Sequence, residues 1–114
     1  DHWYVHMVTR SNYGVLLRAG VRIYEYTPGF IHAKMILSDD DNGVVGSVNM
    51  DYRSFYLHFE DAVWICGAPA LEEIKKDILN IIGVSQEICL ADWQARRWHV
   101  KLSQSILRLF APLF

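Results

Sequence analysis

The chain reads as an α/β domain, with α+β as the alternative, in which helices flank a mixed sheet. Three observations predict this. Apolar residues fill 52% of the 114 positions and charged residues 21%, a composition made for packing. The middle of the chain holds β-branched and aromatic runs punctuated by turn signals. Both ends place apolar residues at helical spacing.

Taken in order, residues 3–19 form the first predicted helix, with Val5, Val8, Val15, Leu16 and Ala19 recurring and Gly20 as the stop. VRIYEY (21–26) is a strand, and Thr27-Pro28-Gly29 a turn. FIHAKMIL (30–37) is a second strand. DDDNG (39–43) turns, with Asn42-Gly43 as a hairpin signature, into VVGSVN (44–49). Residues 50–54 are a loop, and FYLHFEDAVWIC (55–66) is a further strand. Gly67-Ala68-Pro69 breaks it. An amphipathic helix follows over 70–82, with Leu71, Ile74, Ile78, Leu79 and Ile82 on one face and Gly83 at its end. A basic amphipathic helix spans 92–110. No linker is visible, so 1–114 is expected to be one domain. The few strands and the opening Asp1 in place of Met suggest a fragment.

Several classes drop out. No apolar run reaches the roughly 18 residues that span a bilayer. Cys66 and Cys89 are too few for a disulfide scaffold and too far apart for a zinc knuckle; they read as buried hydrophobes in a reducing compartment. The net charge of −2 argues against general polyanion binding, so no nucleic-acid partner is expected. That charge is uneven. Residues 1–90 carry 7 Lys/Arg against 12 Asp/Glu, whereas 91–114 carry Arg96, Arg97, Lys101 and Arg108 against Asp92 alone. Tryptophan and basic residues on the last helix fit an anionic membrane surface as well as they fit packing on the domain itself.

The chemistry concentrates in residues 32–60. His32 and Lys34 are two apart on one strand and so share a face; Ser47 and Asn49 do the same across the hairpin. Lys34 offers a fixed positive charge, and Ser47 and Asn49 neutral donors, which together suit the non-bridging oxygens of a phosphoryl group. His32 can act as nucleophile on phosphorus or as general acid/base. No metal-spaced carboxylate cluster and no cofactor are implied. An isolated His-x-Lys is more often a solvated face. Six positions, His32, Lys34, Asp39, Gly46, Ser47 and Asn49, tip the balance, because a chance match to all of them is on the order of 1 in 10⁷ to 10⁸.

The pattern HxKxxxxDxxxxxxGSxN, present once over 32–49, resembles the HKD motif of the phospholipase D superfamily. AGVRIYEYTPGFIHAK (19–34), GSVNMDYRSFYLHFE (46–60) and RLFAPLF (108–114) are similar to the C-terminal half of bacterial cardiolipin synthases. The resemblance implies half of a bilobed fold and a phosphatidyl transfer that joins two phosphatidylglycerol molecules through a phosphohistidine, without a metal. It casts His32 as acid/base. Lys34 and Asn49 become phosphate ligands, and Ser47 the hydroxyl beside them. Glu60 would orient a catalytic imidazole of the opposite half. Asp39 belongs to the motif's catalytic signature but is structural in such enzymes, and Asp51 and Arg53 brace the loop.

Two departures stand out. His58 replaces the Asn usual in cardiolipin synthases and reads as a partly buried strand residue. The motif occurs once where the family needs two, so a missing N-terminal HKD half or self-association into a homo-oligomer is expected, and the isolated chain should be inactive. The resemblance places the full-length protein at the bacterial cell membrane, on its cytoplasmic face. A single-motif phospholipase or nuclease acting as a homodimer, and a non-catalytic membrane-binding module, are the alternatives.

Overall fold

The computed structural model describes residues 3–95, 98–110 and 112. In chain order the elements are α1 (Trp3–Ser11), α2 (Tyr13–Arg18), β1 (Ile23–Tyr26), β2 (Lys34–Ser38), β3 (Asn42–Gly46), α3 (Tyr52–Tyr56), β4 (Ala62–Cys66), α4 (Ala70–Gly83), β5 (Ser85–Ile88), α5 (Leu90–Gln94) and α6 (Trp98–Leu109). The architecture is α/β with flanking helices, and the strands divide into a two-stranded sheet, β1–β5, and a three-stranded one, β2–β3–β4. The chain forms two compact units, Tyr26–Gln86 and the remainder.

The central unit is a hairpin extended by a third strand. β2 and β3 pair antiparallel with Lys34 opposite Gly46 and Ser38 opposite Asn42. β4 adds antiparallel on the other side of β3, with Gly46 opposite Ala62. The hairpin turn sits earlier than its Asn-Gly signature suggests. Asp39 and Asp40 take positive φ, 53° and 59°, and Asp41 N–H bonds the Ser38 carbonyl. Two consecutive left-handed residues match the sheet's twist, and Asp tolerates that region better than most residues. Asn42 and Gly43 are thereby free to begin β3. Gly43 is buried because α4 crosses here: a Cβ on it would lie 2.6 Å from Leu71 Cδ2. Leu71 is the buried anchor of α4, and Lys75 reaches the turn at Asp40, 2.7 Å away. Leu79, expected on the packed face, is exposed.

The long strand expected over 55–66 is instead a short helix, a loop and a short strand. Asp51 caps α3, its carboxylate accepting the Ser54 N–H at 2.8 Å. That satisfies a helix-terminal donor and overrides the β-propensity of the aromatic run. His58 therefore lies in the α3–β4 loop, exposed and outside any strand. Most of β4 is exposed, Cys66 at its end included; Cys89, which precedes α5, is exposed as well. Neither thiol is the buried hydrophobe expected.

In the unit formed by the chain ends, the helix expected over 3–19 divides at Asn12. The Ser11 hydroxyl bonds back to the Val8 carbonyl at 2.6 Å, and the Asn12 N–H reaches the Thr9 carbonyl, tightening the turn. Tyr13 is buried against Trp93, ring centroids 5.3 Å apart, with the Arg10 guanidinium 5.6 Å from the same indole. Arg10 also pairs with Glu25 at 3.0 Å. Burial, with Glu25 nearby, pushes the Tyr13 hydroxyl up to about 12. Arg22 and Glu87 form a two-pronged pair, 3.0 and 3.3 Å, beside β1 and β5. Of the predicted basic helix, α5 and α6 are described; Arg96 and Arg97 lie outside the described residues. Among the described side chains of α6, Gln104 is buried, whereas Leu102, Ile106 and Leu109 are exposed.

Candidate active site

The open end of the β2–β3 hairpin gathers most of the chemistry-bearing residues. Lys34 is the first residue of β2, and His32 lies in the irregular segment just before it. Ser47 and Asn49 follow the end of β3. Among the four residues expected on paired strands, only Lys34 is in one. Asp39 is at the opposite end of β2, five residue steps or roughly 17 Å from Lys34. In the turn it accepts a 3.4 Å contact from the Ser38 hydroxyl. Its place is in the turn that closes the hairpin.

Glu60 is the hub. Its Oε2 accepts from the Ser47 hydroxyl at 2.5 Å and its Oε1 from the Ser54 hydroxyl at 2.9 Å. Each serine in turn accepts a backbone N–H: Ser47 from Asp61 at 3.1 Å and Ser54 from Asn49 at 3.2 Å. With their lone pairs engaged by N–H groups, both hydroxyls direct their protons at the carboxylate. That is the arrangement an ionised Glu60 needs. It also means that Ser47, in this state, supports Glu60 instead of presenting a donor to a ligand.

The glycine before Ser47 makes the approach possible. A Cβ at Gly46 would overlap the Asp61 carbonyl oxygen and fall 2.6 Å from the Ala62 Cα. Only a bare backbone lets β4 come close enough for Ser47 to meet Glu60.

Lys34 Nζ donates to the His32 carbonyl at 2.7 Å, tying the histidine segment to the start of β2. The His32 ring lies beside Phe30, centroids 5.9 Å apart, and is exposed. Asn49 joins the network through its backbone N–H; its residue is exposed.

Ser54 was not singled out by the sequence, although Asp51-x-x-Ser54 has capping spacing. Nor was the contact of Arg53 Nη2 with His58 Nε2, 3.1 Å long.

Residues 1–82 match a family described as cardiolipin synthase, PLD-like domain. The chain belongs to that family. An uncharacterized protein of Streptococcus mutans serotype c is 42% identical over 106 residues, 93% of this chain and 23% of that protein. The cardiolipin synthase 2 of Bacillus anthracis is 37% identical over 109 residues, 96% of this chain and 21% of that one. The cardiolipin synthase of Staphylococcus aureus is 34% identical over 113 residues, 99% and 23% respectively. The chain thus spans less than a quarter of the length of these cardiolipin synthase relatives. No solved structure matches it at a significant level. Among the described residues, no helix is long and apolar enough to cross a membrane.

The electrostatics of this cardiolipin synthase-like site yield one expected result. The Glu60 carboxyl is held below its ordinary range, first by the Ser47 hydrogen bond and then by that of Ser54. Desolvation opposes both, and Lys34 adds a smaller electrostatic contribution in the same direction as the hydrogen bonds. A carboxylate lowered on folding stabilises the folded state above its unfolded value, and that contribution is lost as pH falls through the lowered one. The amide resonances of Ser47 and Ser54 should therefore shift together in acid, and Glu60→Gln should abolish the transition. The same transition in the variant would assign it to another carboxylate, such as Asp51.

Proposed function

We propose that this chain supplies one HKD motif of an enzyme that makes cardiolipin from two phosphatidylglycerol molecules. A histidine attacks the phosphorus of the first lipid and forms a phosphohistidine, while a second histidine gives its proton to the departing glycerol. The hydroxyl of the second phosphatidylglycerol then attacks the phosphohistidine and returns a proton, releasing cardiolipin. His32 fills the proton-transfer role. Lys34 and Asn49 hold the phosphate oxygens, and Ser47 and Glu60 brace the site; no metal is invoked.

The observation that carries this reading is the serine-clamped Glu60 at the same hairpin end as Lys34 and the His32 segment. Fixed charge, a poised carboxylate and an accessible imidazole are the parts that phosphodiester transfer uses.

The second motif would come from an N-terminal HKD half or from another copy of this chain. Phe55, Phe59 and Trp64 support the need for such a partner, since all three are more than half exposed. An anionic membrane surface is the proposed site of action, on the cytoplasmic side. On α6, Leu102, Ile106 and Leu109 form an exposed stripe at helical spacing with Lys101 and Arg108 beside it.

The test supplies the chain in a two-motif enzyme with phosphatidylglycerol vesicles. Cardiolipin and free glycerol are the expected products, and the 114-residue chain alone should be inactive or nearly so. Phosphatidic acid alone would make it a hydrolase. Cleavage of DNA in preference to lipid would move it to the nucleases, and inertness towards every phosphodiester would leave a binding module.

A further inference from the structure

We propose that Arg53 and His58 are positioning residues for Glu60, with His58 held as the neutral tautomer that carries its proton on Nδ1. The inference rests on the role proposed above for Glu60.

The chemistry of arginine decides the tautomer. Arg53 Nη2 lies 3.1 Å from His58 Nε2. A guanidinium has donors and no acceptor, so the imidazole nitrogen facing it must present its lone pair. The ring proton is then left on Nδ1. That nitrogen lies 3.9 Å from Glu60 Oε1, with the His58 side chain half exposed and that of Glu60 only 14% exposed. The contact is longer than a hydrogen bond, yet it turns the N–H end of the ring toward the carboxylate.

The ring's placement is tied down by backbone as well. Both the Leu57 and His58 N–H groups bond to the Arg53 carbonyl, at 2.9 and 2.8 Å. Arg53 therefore grips His58 at main chain and side chain together. The Ser47 and Ser54 hydroxyls engage the two oxygens of Glu60, and His58 adds a further N–H beside Oε1, the oxygen that accepts from Ser54. Through the neutral imidazole, the side chain of Arg53 bears on the orientation of Glu60. A side chain at position 58 needs one acceptor and one donor to do this. Histidine and asparagine both qualify.

The tautomer can be read directly from nitrogen-15 ring shifts in the 114-residue chain. His58 should show the Nδ1–H pattern near neutral pH, and Arg53→Met should return it to the Nε2–H form usual in solution. An Nε2–H pattern in the unsubstituted chain overturns the proposal. So does a pattern unchanged by Arg53→Met. In the two-motif enzyme, His58→Phe should lower kcat on the order of 10-fold with little change in KM, as expected for a group misplaced by a fraction of an ångström. His58→Asn should restore most of the loss. Equal kcat for His58→Phe and the parent enzyme would overturn the positioning role even if cardiolipin is made. Absence of any transfer would instead sink the proposed function, and the ring shifts would then decide the Arg53–His58 arrangement alone.

Discussion

Replacing His32 with alanine in the two-motif enzyme should lower phosphatidyl transfer at least about 10²-fold, the low end for losing general acid/base help. The effect should fall on kcat. His32 is exposed, its ring is placed beside Phe30, and the carbonyl that accepts from Lys34 belongs to the backbone, which alanine keeps. The variant should therefore fold as the parent does, with an unchanged circular dichroism spectrum and melting temperature. That separates chemistry from stability. Lys34→Ala should be comparably harmful by a different route, removing both the charge proposed to hold the phosphate oxygens and the tether on the His32 segment. Near-normal transfer by His32→Ala would show that the proton passes through another group.

Gly46→Ala should be the most damaging small substitution in the fold. Its new methyl meets backbone at the start of β4, the Asp61 carbonyl oxygen just before the strand and the Ala62 Cα within it, and backbone held by a paired strand cannot swing aside. A cost of about 3 kcal/mol is expected, at the upper end for overpacking. Thermal melting should drop by roughly 10 °C or more. Gly43→Ala is the control. Its methyl would meet the far end of the Leu71 side chain, which can rotate, so a loss of about 1 kcal/mol is expected there. If Gly43→Ala proved the worse of the two, the close approach of β4 to β3 at Gly46 would not be what the structure depends on. Partial survivors of Gly46→Ala should also lose the acid transition of Glu60, since Ser47 reaches Glu60 only through that approach.

The motif residues and their spacing were legible without coordinates, and so was the family. Such signals are local: His32, Lys34, Gly46, Ser47 and Asn49 stand at set intervals along one hairpin. The same holds for α4, whose apolar repeat and flanking Pro69 and Gly83 mark its extent. Elements that lack a periodic signal were not legible. β5, Ser-Gln-Glu-Ile, has a single apolar residue and is a strand only because β1 pairs with it. α3 was hidden in an aromatic run, because one capping carboxylate at Asp51 outweighs the propensity of the residues after it.

By itself, then, the sequence determined which motif side chains this protein carries, at what spacing, and roughly where the chain turns. Tertiary structure alone decided how they meet. Ser47 and Glu60 are thirteen residues apart, and their contact exists because β4 returns alongside β3 with Gly46 opposite Ala62. That register is set by pairing and by the space a missing Cβ leaves, and neither is written in the spacing of the motif. The exposure of Cys66 and the tautomer of His58 follow the same rule. Each depends on which neighbour the fold supplies, a strand left largely exposed among the described residues in one case and a guanidinium with no lone pair in the other.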